Sequence, residues 1–215
     1  MTNPPVQDAE KSRALTRVAA VSFEPQIGDL RGNRSVILDT VSAAVAAGAG
    51  LVVLPELSTS GYVFSGPDEA AALAIDVGDD LFSELSAAAT LGAVIVVGFC
   101  ETDGGRLFNS AAVLDGAGIL GVYRKTHLWD REKLVFEAGH APPPVLDTRV
   151  GRVGVLVCYD LEFPEMTRSL ALRGVEVIAV PANWPLLQRP SGEHPPEVIQ
   201  AMAAARTNQV FIVCA

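Results

Sequence analysis

Three residues of this chain carry side chains suited to covalent chemistry and occupy the same kind of position. Glu56 follows the apolar run Leu51-Val52-Val53-Leu54-Pro55, Lys125 follows Gly121-Val122-Tyr123-Arg124, and Cys158 follows Val153-Gly154-Val155-Leu156-Val157. Each run reads as a strand rich in β-branched and apolar residues. In a layered α/β fold, the ends of neighbouring strands converge on one crevice. A carboxylate there can take a thiol proton, and the thiolate can attack a carbonyl or nitrile carbon. An ammonium with a backbone N–H can hold the developing oxyanion. Singly, each residue has a plainer reading. Cys158 could be an inert core thiol, Glu56 could cap a turn in the Ser58-Thr59-Ser60-Gly61 loop, and Lys125 could be a solvated strand-end charge. Three matched strand ends together favour the chemical reading.

The elements that must position them follow from the hydrophobic pattern. Cys158 precedes Tyr159-Asp160-Leu161-Glu162-Phe163-Pro164-Glu165, which reads as a helix start with Pro164 in the first turn, where its missing N–H costs nothing. A thiolate in front of such a turn gains from helix-end N–H groups. Strands are expected at residues 17–23, 51–54, 93–100, 107–114, 119–125, 153–157, 175–180 and 209–214. Helices are expected at 30–47, where Ile37, Val41, Ala44 and Val45 share a face, and at 79–91, 164–173 and 196–207. Residues 126–146 read as an ordered loop. Asp115-Gly116-Ala117-Gly118 is a hairpin signal, and it disposes of the match of Gly116-Ala117-Gly118-Ile119-Leu120-Gly121 to a dinucleotide-binding pattern, which requires a helix to begin there. Alternating strands and helices predict a layered α/β fold, and the hairpin makes its sheet mixed.

Size and composition narrow the class. The chain has 215 residues, enough for one sizeable core, and 49% of them are hydrophobic. A formal net charge of -9 argues against nucleic acid or an anionic membrane as partner. No stretch reaches the ~20 apolar residues of a membrane span. The start, Met1-Thr2-Asn3-Pro4-Pro5, lacks the pattern of a secretory signal. The three cysteines, Cys100, Cys158 and Cys214, show no metal or redox spacing, which suggests free thiols in the cytoplasm.

The motifs are also recognisable. Leu54-Pro55-Glu56-Leu57 with Gly61-Tyr62, Tyr123-Arg124-Lys125-Thr126-His127-Leu128, and Cys158-Tyr159-Asp160 with Phe163-Pro164-Glu165 and Arg168 resemble the glutamate, lysine and cysteine motifs of the nitrilase (carbon–nitrogen hydrolase) superfamily. Pro181-Ala182-Asn183-Trp184-Pro185 and Ala205-Arg206-Thr207-Asn208-Gln209 fit the same family, so that the resemblance runs from about Val18 to the last residue. It implies a four-layer α–β–β–α sandwich with mixed sheets, often assembled as homodimers, and no metal or organic cofactor. It implies Glu56 as general base, Lys125 as oxyanion stabiliser, Cys158 as nucleophile, the Tyr159 backbone N–H as oxyanion donor, and Glu132 as the supporting second glutamate. A solvated loop charge is the plainer reading of Glu132. Tyr62, Trp129 and Trp184 lie near the motifs and are candidates for the substrate pocket, with ordinary aromatic packing as the alternative. Cys158-Tyr159-Asp160 leans towards primary aliphatic amides as substrates. Carbamoyl compounds, which Glu132 with Phe136-Glu137-Ala138-Gly139 would suit, or nitriles are the rivals, and a catalytically silent scaffold is the reading from another class. The expected organisation is a loose arm at 1–15 and a hydrolase domain at 16–215, short of the further strands and tail that the family carries.

Overall fold

The computed structural model describes residues 15–185 and 188–215. The arm expected before residue 15 lies outside the described residues. Among the described residues, nine strands form two sheets. The first contains β1 (Val18–Ala20), β2 (Leu51–Val53), β3 (Val94–Asp103), β4 (Arg106–Asp115) and β5 (Gly118–Arg124) in that spatial order. Strands β1, β2 and β3 run parallel, and β3, β4 and β5 are antiparallel. The second sheet contains β6 (Val145–Thr148), β7 (Gly151–Val155), β8 (Val177–Val180) and β9 (Phe211–Cys214), with β6 antiparallel to β7 and the others parallel.

Alternation along the strands separates three apolar layers. Leu51 and Val53 face Val153, Val155, Val157 and Ala179 of the other sheet, forming the middle layer. Val52 and Leu54 point the opposite way, onto α1 (Leu30–Ala46) and α3 (Asp80–Ala88) through Ile37, Val41, Val45, Leu81 and Leu85. Leu156, Ile178 and Val180 face α4 (Pro164–Leu172) and α5 (Pro196–Asn208) through Leu170, Ala201 and Ala204. Strands buried on both faces read as unbroken apolar runs, which is why they were legible in the sequence. The result is the expected α–β–β–α sandwich with two mixed sheets.

The pattern missed short elements. The helix α2 (Pro67–Leu73) has seven residues, with Pro67 at its start and Asp68 and Glu69 in its first turn. The edge strand β6, of four residues, begins at the end of the stretch 126–146 read as loop and runs two residues beyond it. The helix expected over 79–91 stops at Ala88, and Leu91 takes a left-handed backbone, φ 57°, in a 3-10 turn before β3. The hairpin holds: β4 and β5 join through Gly116 and Ala117, and the Ala117 N–H donates to Asp115 Oδ1 at 2.8 Å.

One glycine of β3 bears directly on the placement of Glu56. A Cβ on Gly98 would sit 2.5 Å from the Pro55 carbonyl oxygen and 2.7 Å from Glu56 Cα. The backbone beyond β2 therefore crosses β3 at the one position without a side chain, and Ser58 N–H donates to the Gly98 carbonyl at 2.9 Å. Gly98→Ala is expected to displace the Glu56 loop and to destabilise the fold by about 1–3 kcal/mol through overpacking. Urea unfolding measures the cost, and an unchanged midpoint would contradict the close crossing.

Candidate active site

Glu56, Lys125 and Cys158 converge, and each is buried. Glu56 lies in the 55–61 loop after β2. Its plainer role, capping that turn, is taken by Ser58, whose hydroxyl donates to the Pro55 carbonyl at 2.5 Å. The Glu56 carboxyl is thus left for Lys125, whose Nζ donates to Oε1 at 2.6 Å. Lys125 follows β5 directly and is 0% exposed, which removes the reading of a solvated strand-end charge. Its ammonium also donates to Glu132 Oε1 at 2.9 Å.

Glu132 sits in the 3-10 turn Asp130–Leu134 and is itself buried. Its Oε1 also accepts the Tyr62 hydroxyl at 2.7 Å, and its Oε2 accepts the Trp129 N–H at 2.8 Å. Every one of these contacts fixes the carboxylate, so the reading of a solvated loop charge does not hold. Asn109, in the middle of β4, escaped the sequence reading. Its Nδ2 donates to Glu56 Oε1 at 2.8 Å and to Glu132 Oε1 at 3.2 Å, holding the two carboxylates around one cation. The only signal for it was a polar side chain interrupting an apolar strand. Glu56 Oε2 is buried with no hydrogen-bond partner among the described residues.

Cys158 opens a 3-10 turn, Cys158–Glu162, between β7 and α4, with φ +44°. A left-handed backbone at a residue with a Cβ costs roughly 1–3 kcal/mol and persists only where the surroundings enforce it. Here the enforcement is visible. Cys158 N–H donates to the Pro181 carbonyl at 2.9 Å, and Asp160 ties the turn to the lysine segment. Asp160 Oδ2 accepts Val157 N–H at 3.2 Å and the Tyr123 hydroxyl at 2.9 Å, while Oδ1 accepts His127 N–H at 2.9 Å and lies 2.9 Å from His127 Nδ1. Tyr123 and His127 flank Lys125 by two residues on either side, and Val157 and Asp160 bracket Cys158. One fully buried carboxyl therefore holds the lysine and cysteine segments in register. The Tyr159 N–H has no acceptor among the described residues and is free to serve a ligand.

The electrostatics follow from burial. Desolvation pushes the Glu56 carboxyl above its ordinary range, opposed by the Lys125 ammonium. Burial and then the Glu56 charge raise the Cys158 thiol well above its usual value, against the pull of Lys125 and the Asn183 backbone. Burial works against the Lys125 ammonium, but Glu56, Glu132 and Cys158 together outweigh it, and its pKa ends above the ordinary value. These directions favour the protonated thiol and the charged ammonium, so the thiol needs a base.

A cavity of about 780 Å³ opens in front of Glu56 and is lined by Tyr62, Trp184, Asn183 and Glu197 among others. Trp129 is 40% exposed and lines a smaller neighbouring cavity of about 140 Å³, which shares Tyr62. Among the described residues no cluster of three or more His, Cys, Asp or Glu is placed to hold a metal ion, and no helix is long and apolar enough to cross a membrane. Cys100, Cys158 and Cys214 are free thiols, and burial pushes Cys100 and Cys214 up to about 12.

A four-layer α/β sandwich that gathers a thiol, a carboxylate and an ammonium at its strand ends has the equipment of a cysteine-dependent hydrolase. The chain belongs to the carbon–nitrogen hydrolase family, whose profile matches residues 17–215, and thus to the nitrilase superfamily. A protein named nitrilase from Pyrococcus abyssi is 42% identical over 171 residues, covering 79% of this chain. An (R)-stereoselective amidase from Pseudomonas sp is 37% identical over 198 residues, covering 92% of this chain. The chain spans 65% of the length of the first relative and 69% of the second. Among solved structures, the Nesterenkonia AN1 amidase superposes with a TM-score of 0.79 at 30% identity, over 93% of this chain and 75% of that one. Other structures of that amidase carry acrylamide added to its active-site cysteine or butyramide in complex.

Two outcomes are expected here. Glu56→Gln removes a negative charge from beside the thiol, so the pKa of Cys158 should fall. The pH profile of its alkylation by iodoacetamide, read by intact-protein mass, should shift to lower pH; an unmoved or raised midpoint would show that Glu56 does not act on the thiol. Asp160→Asn turns an amide N–H2 donor towards buried donors, and the loss should be about 1–3 kcal/mol in urea unfolding, with slower Cys158 alkylation.

Proposed function

We propose that this protein hydrolyses the carbon–nitrogen bond of a primary aliphatic amide, releasing the carboxylic acid and ammonia through a Cys158 thioester. The observation that carries this reading is the buried cluster of Lys125 with Glu56 and Glu132, set beside a thiol on a strained turn. The butyramide complex of the Nesterenkonia amidase supports the choice of a small amide.

In the first half-reaction Glu56 takes the Cys158 proton on Oε2, the oxygen without a partner. The sulfur forms a bond to the amide carbon, and the carbonyl electron pair moves to oxygen. Lys125 Nζ and the Tyr159 N–H stabilise that oxyanion. When the tetrahedral species collapses, the carbon–nitrogen bond breaks, and the nitrogen leaves as ammonia with the proton returned by Glu56. In the second half-reaction Glu56 takes a proton from water, hydroxide adds to the thioester, and the Cys158 sulfur departs and is reprotonated. The ammonium of Lys125 changes neither its bonds nor its charge in this sequence. Glu132, Asn109 and Tyr62 act through it, by keeping it in place. The Tyr62 hydroxyl keeps its proton, since burial and then the Glu56 and Glu132 charges raise its pKa far above the ordinary value.

The test is ammonia release from acetamide, propionamide and butyramide, with nitriles and N-carbamoyl compounds assayed alongside. Cys158→Ala should abolish turnover, and intact-protein mass spectrometry of the wild-type chain should find an acyl adduct on Cys158. Turnover that survives Cys158→Ala would overturn the mechanism, and faster turnover of nitriles or carbamoyl compounds would overturn the choice of substrate.

A further inference from the structure

The cavity in front of Glu56 contains a carboxylate that this mechanism leaves unused. Glu197, in the first turn of α5, is 9% exposed and lines the cavity beside Pro195, Pro196 and Trp184. Among the described residues its carboxylate makes no hydrogen bond or ion pair. Its oxygens keep some contact with the cavity, but a carboxylate in a largely buried residue without a protein donor still carries a cost. The amino end of α5 eases part of that cost but supplies no cation. Its surroundings add to the problem. Burial and then the charge of Glu197 hold the Glu162 carboxyl above its ordinary range, so a second acid lies close by. The other charged groups of the cavity wall do not neutralise Glu197. Glu56 is engaged by Lys125, Glu24 is an exposed acid, and Arg189 is exposed and forms no ion pair among the described residues, with its Nε donating to the Glu193 carbonyl at 3.0 Å.

We propose that Glu197 is the binding site for an ammonium group at the end of the substrate remote from the scissile bond. The inference rests on the hydrolase reading above and deepens it: the substrate class becomes primary amides that carry an amine several bonds from the carbonyl. The ammonium supplies the missing donors through charge-assisted hydrogen bonds, which are roughly twice as strong as neutral ones. Arg189 on the same wall decides between two forms of such a substrate. It accommodates a carboxylate next to the amine, as in an amino-acid head group, or it stays unused with a plain amine.

The test compares kcat/KM for ω-aminoamides of four to six carbons with that for neutral amides of the same length, with glutamine and homoglutamine as the amino-acid arm. In the wild-type chain the best ammonium substrate should exceed its neutral counterpart by about tenfold, mainly through KM. Glu197→Gln should bring the ratio close to one, and Glu197→Lys should invert it. A ratio that is the same in wild type and Glu197→Gln overturns the subsite while leaving the hydrolase reading intact. If no amide is turned over, the hydrolase reading fails, and calorimetric titration with pentane-1,5-diamine decides the subsite alone. Weaker binding to Glu197→Gln than to wild type supports it, and equal or absent binding overturns it.

Discussion

A lysine with no exposed surface normally could not keep its charge in a protein interior. Lys125 does so because two carboxylates, from the loop after β2 and from the turn after residue 129, share its ammonium. Removing Lys125 would strand two buried carboxylates, and truncating one member of a buried ion pair is strongly destabilising for that reason. The cluster is therefore a constraint on the surrounding chain. It dictates that β4 carry an amide at Asn109, that Tyr62 deliver its hydroxyl to Glu132, and that the loop after β2 cross β3 where there is no side chain.

A similar device joins the two sheets. Glu56 and Lys125 belong to the five-stranded sheet, and Cys158 belongs to the four-stranded one. Asp160 gathers donors from both, and the Glu56 N–H reaches across to the Ala182 carbonyl at 3.4 Å. These polar ties sit at the carboxyl ends of the strands, outside the apolar middle layer. The layer supplies cohesion through burial, which has no direction, and the hydrogen bonds supply the direction.

The parts of this arrangement legible in the sequence are those with a local signature. Apolar runs buried on both faces marked the strands, and the residues just after them marked the strand-end site. The Asp115–Gly118 turn was legible because its geometry asks for particular residues. Asn109 was not, because nothing local separates an amide that holds two carboxylates from one that faces water. The left-handed backbone of Cys158 was equally hidden, since it is imposed by Asp160 and Pro181 rather than by the thiol's own preference. The helix α2 and the strand β6 are too short for periodicity to declare itself. Glu197 reads in sequence as an ordinary acid in a helix first turn, and only the cavity wall gives it another meaning.

The middle apolar layer has a further consequence. Because Glu56 and Cys158 hang from different sheets, the side chains of Leu51, Val53, Val155 and Val157 act as a spacer that sets the gap between them. A sheet-to-sheet layer is about 10 Å thick, and one methylene more or less is felt throughout such a core. A repacked interior could therefore leave the molecule fully folded yet shift carboxyl and thiol relative to each other, in the way a worn shim spoils an instrument that still looks assembled. The cavity wall formed by Phe23, Glu24 and Pro25 lies outside that layer and has no part in setting the gap.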